Sequence, residues 1–203
     1  MSSFLMKPAG SHVIYKRRRY LVCPAYDTVL TIRKLYREEE LEDSDKISAA
    51  LELLAGNRLS RLRMRCLPVL DQAELLRKIF DELIQTKKRP ELPDHGPPVL
   101  DFDEDGEYIY ASFMEEYGID LLKARGRLGW REFIAMFEGL SGESKIKEVM
   151  RIRQMEIPAP DGKNQKEVQK LSQLKMYYAL PVKGGQNGAD LLFHVLERMA
   201  VKQ

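Results

Sequence analysis

Residues 71–84 read DQAELLRKIFDELI, and this stretch has the strongest helical pattern in the chain. Leu76, Ile79 and Leu83 recur at the spacing of three and four residues that places apolar side chains on one face of an α-helix. Asp71 is predicted to be the N-cap, because a short acidic side chain accepts hydrogen bonds from the first free N–H groups of a helix. The stretch therefore predicts an amphipathic helix that packs against a core.

The same spacing of apolar residues continues on both sides of this helix. Residues 27–54 and residues 109–178 contain further stripes of this kind, each interrupted by glycine, proline or polar residues that end helices. The side chains predicted to cap these helices are those of Asp27, Ser44, Ser144 and Asn164. Most of the chain is therefore predicted to be helical.

The N-terminal part follows a different pattern. Residues 12–15 and 20–23 are short runs rich in β-formers, and Lys16, Arg17, Arg18 and Arg19 separate them. This arrangement predicts a β-hairpin with a basic tip. The predicted fold class is mainly α, a multi-helix bundle with a short N-terminal β-hairpin.

A proline-rich stretch gives the best internal boundary. We assign residues 1–88 to a hairpin with helices, residues 89–100 to a proline-rich linker, and residues 101–203 to a helical C-terminal half with a last amphipathic helix near residues 192–199. Each half is small for a core of its own, so the chain is predicted to fold as one cooperative unit.

Composition limits the class of protein. The 203 residues are 44% hydrophobic and 32% charged, with a formal net charge of +2, which excludes a collagen-like or wholly disordered chain. Cys23 and Cys66 are too few for a disulfide framework, so both are interpreted as reduced core thiols. With no signal peptide and no apolar run of membrane-spanning length, the expected location is the cytoplasm.

No group of residues predicts catalysis or a cofactor. Residues 101–106 resemble the start of an EF-hand calcium loop, but its twelfth position is Ser112, which cannot replace the bidentate carboxylate. We therefore interpret these acids as the start of a helix. His12, His95 and His194 have no neighbours with the spacing of metal ligands, and there is no phosphate-binding glycine loop. We expect no enzyme activity, no metal, no cofactor and no small-molecule substrate.

Basic residues are concentrated near the N-terminus. Residues 1–37 hold eight lysines and arginines against Asp27 alone, and Arg58, Arg61, Arg63 and Arg65 form a second cluster. The basic tip, Lys16 to Arg19, could contact phosphates of a nucleic acid, or it could be solvated or face an acidic protein.

The second half of the chain resembles the bacteriophage gene-product-fifteen family, which occurs in the tail modules of long-tailed phages and prophages of Gram-positive bacteria. The resemblance depends on an ordered series of motifs, and the first half, a hairpin followed by short helices around residues 26–54, resembles the family more weakly. The series consists of the acids at residues 101–105, YIYASF at 108–113, YGIDL at 117–121, LGW at 128–130 with Phe133, Leu140, the pair Ile152-Arg153, and KMYYALP at 175–181. Gly129 stands where family members often have histidine before the tryptophan.

The resemblance implies a role in virion assembly. Genes of this family lie between those for the tail tube and the tape-measure protein, which suggests a tail assembly chaperone that shields the tape-measure protein before the tube polymerises. The expected partners are the tape-measure protein and a neighbouring tail assembly protein. The alternatives are a nucleic-acid-binding accessory protein that uses the basic tip, and a structural tail or connector component.

A chaperone of this kind needs an apolar groove for a partner helix. Aromatic residues of the second half and adjacent methionines are the candidates, although the same residue types also build cores. The predicted partner-binding residues are Tyr110, Phe113, Met114, Tyr117, Trp130, Met136 and Phe137.

Overall fold

The fold was obtained as a computed structural model that describes residues 11–85, 98–159, 161 and 164–181. Most of the predicted linker at 89–100 and the predicted last helix near 192–199 lie outside these residues. The described part is mainly α-helical with an N-terminal two-stranded hairpin, so the predicted fold class is confirmed.

The hairpin pairs β1 (Ser11–Tyr15) with β2 (Arg18–Val22) in antiparallel register. Its side chains alternate, because successive residues of a strand point to opposite faces. The buried face carries Val13, Tyr15, Tyr20 and Val22. Only two residues form the turn, so the second strand begins two residues earlier than predicted.

Four helices follow the hairpin. They are α1 (Tyr26–Arg37), α2 (Asp43–Leu54), α3 (Arg58–Arg65) and α4 (Val69–Ile79), and a π-helical turn at Phe80–Ile84 extends α4. Helix α2 packs against α1, α3 and α4. Ile32, Ile47, Leu51, Leu76 and Ile79 are almost completely buried between these elements.

Three predicted N-caps are wrong. The N-cap residues of α1, α2 and α4 are Ala25, Glu42 and Pro68, so Asp27, Ser44 and Asp71 lie inside the first turns. The two aspartates instead accept hydrogen bonds from residues that are distant along the chain. Asp27 Oδ1 accepts a hydrogen bond from Gly126 N, and Asp71 Oδ1 accepts one from Lys16 Nζ.

A later segment of the chain completes the first compact unit. Within the described part, residues 11–85 and 124–135 form one unit, and the second contains residues 98–123 and those from 136 onward. The Phe133 ring stacks on the Tyr26 ring at 4.9 Å, and Trp130 N donates to Pro24 O at 2.8 Å. The division at residues 89–100 did not predict this return.

The second half contains five helices in the residues described. They are α5 (Gly106–Tyr117), α6 (Leu121–Ala124), α7 (Trp130–Gly139), α8 (Lys145–Gln154) and α9 (Gln165–Tyr177). Helix α5 packs on α8, and α8 contacts α9. Gly118 ends α5 with a φ of +64°, a left-handed conformation that glycine adopts readily. Ser144 and Asn164 occupy the predicted N-cap positions of α8 and α9, although neither side chain makes a capping bond.

The acidic segment at residues 101–105 starts α5, as the sequence predicts. Asp101 Oδ1 accepts hydrogen bonds from the N–H groups of Asp103 and Glu104, and Asp105 is the N-cap residue. Ser112, at the twelfth position of the apparent calcium loop, is buried in α5. Its hydroxyl accepts a hydrogen bond from Ile146 N in the first turn of α8.

The two cysteines are free, but the prediction that both lie in the core is wrong. Cys66 is exposed, and Cys23 is partly exposed. Among the residues described, no helix combines the length and apolar character needed to cross a membrane.

Candidate partner-binding surfaces

Three of the predicted partner-binding residues are buried in the core. Phe113 and Phe137 are buried in the second unit, and Trp130 is buried in the first, where its ring stacks on Phe133 at 5.7 Å. A partner could not contact these rings without rearrangement of the core. Their assignment to a groove stays a prediction, which the burial does not support.

The other four predicted residues are more accessible. Met114 and Tyr117 are 38% and 37% exposed, while Tyr110 and Met136 are half-buried. Tyr117 brings part of the set together, because its hydroxyl donates to Met136 O at 3.0 Å and its ring meets Phe113 edge to face. These residues give the second unit a small accessible patch.

The basic tip is a strained two-residue turn. Lys16 and Arg17 have φ values of 45° and 62°. Two consecutive positive φ angles define a type I′ turn, which normally contains asparagine and glycine because side chains disfavour this conformation. Lys16 and Arg17 are not residue types that indicate a turn of this kind.

The charge of Lys16 is already paired. Lys16 Nζ donates to Asp71 Oδ1 at 2.6 Å, and the adjacent Tyr15 hydroxyl donates to Glu74 Oε2 at 2.6 Å. Burial, together with the hydrogen bond to Glu74, raises the pKa of Tyr15 above its ordinary value and keeps the hydroxyl protonated. The tip is therefore fastened to α4, and its exposed positive charge comes from Arg17, Arg18 and Arg19.

Helix α3 brings the second basic cluster next to β2. The Ser60 hydroxyl accepts a hydrogen bond from Leu21 N at 2.9 Å, and Arg63 Nη1 donates to Arg19 O at 3.4 Å. Asn57 caps the helix, since its Oδ1 accepts from Ser60 N. Arg63 of α3 therefore lies beside the arginines of the tip in the first unit.

The solvent face of α3 combines arginine with leucine. Ser60 and Met64, one turn apart, are buried, and Leu59 and Leu62 are 54% and 60% exposed. Exposed leucines in an arginine-rich helix were not among the predicted site residues. Their spacing of three residues is also typical of core residues. The burial of Ser60 and Met64 shows which face of α3 is inside.

The described residues contain no cluster of three or more histidine, cysteine or acidic side chains that could hold a metal ion. The Asp101 carboxylate that resembles a calcium ligand instead accepts backbone N–H groups. Asp105 likewise binds groups of the protein, because its Oδ2 accepts hydrogen bonds from Asp101 N and Arg153 Nη1.

Comparisons with known proteins agree with the sequence motifs. Neither the curated proteins nor the solved structures gave a match. A protein family described as Bacteriophage Gp15 protein matches residues 10–180, which is most of the chain. The resemblance stated from the motifs is thereby confirmed, and the chain belongs to the Bacteriophage Gp15 protein family.

Proposed function

We propose that this phage protein is a non-catalytic tail assembly chaperone that acts in the cytoplasm of the host. Its partner would be the tape-measure protein, and it would cover that protein until the tail tube polymerises. Membership of the phage family and the gene position implied by the family resemblance support this role.

A tape-measure chain is long and helical, with apolar stripes that aggregate in water when they are left uncovered. A chaperone for such a chain needs an accessible apolar surface with charged surroundings, and it must release its partner. This requirement concerns binding and needs no catalytic group.

One observation carries the proposal. Leu59 and Leu62 are exposed on α3 among four arginines of the same helix. Exposing apolar side chains of this kind to water costs free energy, and a partner that covers them recovers it at about 25 cal/mol per Å² of buried apolar surface. A surface of this composition suits reversible binding of another protein.

Co-expression with the tape-measure protein encoded beside it tests the proposal. We expect the soluble yield of the tape-measure protein to rise and the two proteins to co-purify. Mass spectrometry of purified virions should detect no copies of this chain. Unchanged solubility without co-purification would contradict a chaperone, and stoichiometric copies in the virion would favour a structural tail component.

The arginines also favour a second candidate, a nucleic-acid-binding accessory protein. Arg17, Arg18 and Arg19 are exposed at the tip, and phosphate contacts by such residues weaken steeply with salt. If this function holds, labelled DNA or RNA should bind at low salt, and neutralising these three arginines should abolish binding. Absence of binding at low salt would exclude the candidate.

A further inference from the structure

We propose that the outer face of α3 is the docking surface for an acidic, amphipathic α-helix of the partner protein. The inference rests on the proposed function only in taking the partner to be a protein. It assigns the contact to Leu59 and Leu62, with the surrounding arginines binding carboxylates. None of these leucines belongs to the aromatic set predicted from the sequence.

The geometry of an α-helix places the two leucines side by side. Successive residues are about 100° apart around the axis, so Leu59 and Leu62 are separated by only about 60°. By the same rule Arg58 lies about 40° beyond Leu62, and Arg63 about 40° beyond Leu59. The apolar stripe therefore has arginine on both sides, and it points away from buried Ser60 and Met64.

Further exposed apolar residues follow α3 along the chain. Cys66 follows α3 and is exposed, and Val69 and Leu70 at the start of α4 are 47% and 58% exposed. These side chains add exposed apolar residues in the segment that follows α3.

Most of the arginines of α3 lack an acidic partner among the residues described. Among the residues described, no carboxylate lies within ion-pairing distance of Arg58 or Arg61. Arg65 is 4.0 Å from Glu52, at the limit of an ion pair and largely exposed. Helix α3 itself contains no acid. A partner with glutamate or aspartate beside its apolar stripe would complement this charge.

The exposed leucines favour a protein over a nucleic acid. The phosphate backbone supplies charge but little apolar surface, and protein contacts to it come mainly from basic and polar side chains. Two leucines in the middle of the basic face would stay unburied against a duplex. Against an amphipathic helix the same leucines become the apolar centre and the arginines the charged rim.

The surface is already ordered in the free protein. Asn57 caps α3, the Ser60 hydroxyl holds it to β2, and Met64 is completely buried beneath it. A preformed face pays less conformational entropy on binding than a segment that must fold. A modest contact area is then enough for weak, reversible association.

A designed peptide tests this surface directly. The probe is a fluorescent helical peptide of about five turns, with leucines spaced by three and four and glutamates on both flanks. The full chain should bind it in anisotropy titrations at low salt, at least about tenfold more tightly than a peptide with lysines in place of the glutamates. Equal binding of the two peptides, or none, would overturn the proposal.

Two double variants of the face and two matched controls locate the contact. Arg58→Glu/Arg61→Glu and Leu59→Ser/Leu62→Ser should each weaken peptide binding by about tenfold or more. The controls Arg125→Glu/Arg127→Glu and Leu53→Ser/Leu122→Ser change residues of the same type that are also exposed, and should stay within about twofold of the parent. Loss in the controls alone, or no loss in either face variant, would place the site elsewhere.

The outcomes separate this inference from the proposed function. If the tape-measure protein still co-purifies with both face variants, the chaperone role stands and the docking surface is wrong. If the parent protein binds the peptide but does not affect the tape-measure protein, the surface stands and the proposed function fails. Tighter binding of duplex DNA than of the peptide, lost in the arginine variant but retained in the leucine variant, would overturn the docking surface in favour of nucleic acid.

Discussion

Arg153 and Asp105 form a bidentate ion pair in which both N–O distances are 2.7 Å. The two side chains are only 8% and 1% exposed, so the pair is shielded from solvent. Arg153 also donates to Tyr178 O and Val99 O. One arginine near the end of α8 thus holds the start of α5 and two chain segments beside it.

Replacing Arg153 with methionine should destabilise the protein by about 3–5 kcal/mol, because the Asp105 carboxylate would remain buried without its cation. Urea denaturation followed by circular dichroism measures the loss. The matched control is Lys123→Met, which removes the exposed ion pair with Asp120 and should leave the free energy of unfolding almost unchanged, because solvent screens this pair. Similar losses in the two variants would contradict the importance of burial.

Ser112→Ala should cost about 1–3 kcal/mol, because Ile146 N would lose its hydrogen bond in a buried position. Thermal or urea unfolding measures the change. Ser172→Ala is the control, since the Ser172 hydroxyl donates only to Val168 O within α9 and its removal should change stability by less than about 0.5 kcal/mol. A neutral Ser112→Ala variant would show that another group satisfies Ile146.

Arg17→Gly should stabilise the hairpin by about 0.5–1 kcal/mol, because glycine adopts the positive φ of this turn without a side-chain penalty. A rise in melting temperature of about 2–4 °C is expected. Arg18→Gly, one residue later in β2, should instead lower the melting temperature, because glycine weakens a strand. Equal effects at both positions would argue against a type I′ turn.

Phe113→Ser and Met114→Ser should differ sharply although the residues are adjacent. Phe113 is fully buried, and its truncation should cost about 3–5 kcal/mol. Met114 is exposed, and its replacement should cost less than about 1 kcal/mol. Denaturation measures both, and co-purification with the tape-measure protein is then informative only for the folded variant. Retained stability in Phe113→Ser would reopen the predicted groove.

Local patterns in the sequence predict the elements of this fold well. Apolar spacing predicts the hairpin and most of the helices, and Gly118 marks the end of α5. Helix α3 lies outside the predicted helical stretches, because its arginines are interpreted only as a basic cluster. The capping predictions fail where an acid serves a distant contact, as Asp71 does with Lys16. The hairpin is predicted, but the two-residue length and type of its turn at Lys16 and Arg17 are not, because neither residue type favours positive φ.

The candidate surface was predictable only in part. The arginines of α3 are visible as a cluster in the sequence, but Leu59 and Leu62 have a spacing that equally suits a buried face. Contacts between α3 and β2 determine which face of α3 is buried. The Ser60 hydroxyl accepts a hydrogen bond from Leu21 N, so Leu59 and Leu62 lie on the exposed face. The orientation of α3 therefore depends on residues that are distant along the chain.

The return of residues 124–135 to the first unit has a consequence for synthesis. The Tyr26 ring receives its stacking partner Phe133 only after more than a hundred further residues have been translated. At about 5–20 residues per second, this delay lasts for about 5–20 seconds. A nascent chain that has been translated only as far as the proline-rich stretch therefore leaves the apolar surface around Tyr26 uncovered. The residues that cover this surface have not yet been synthesised.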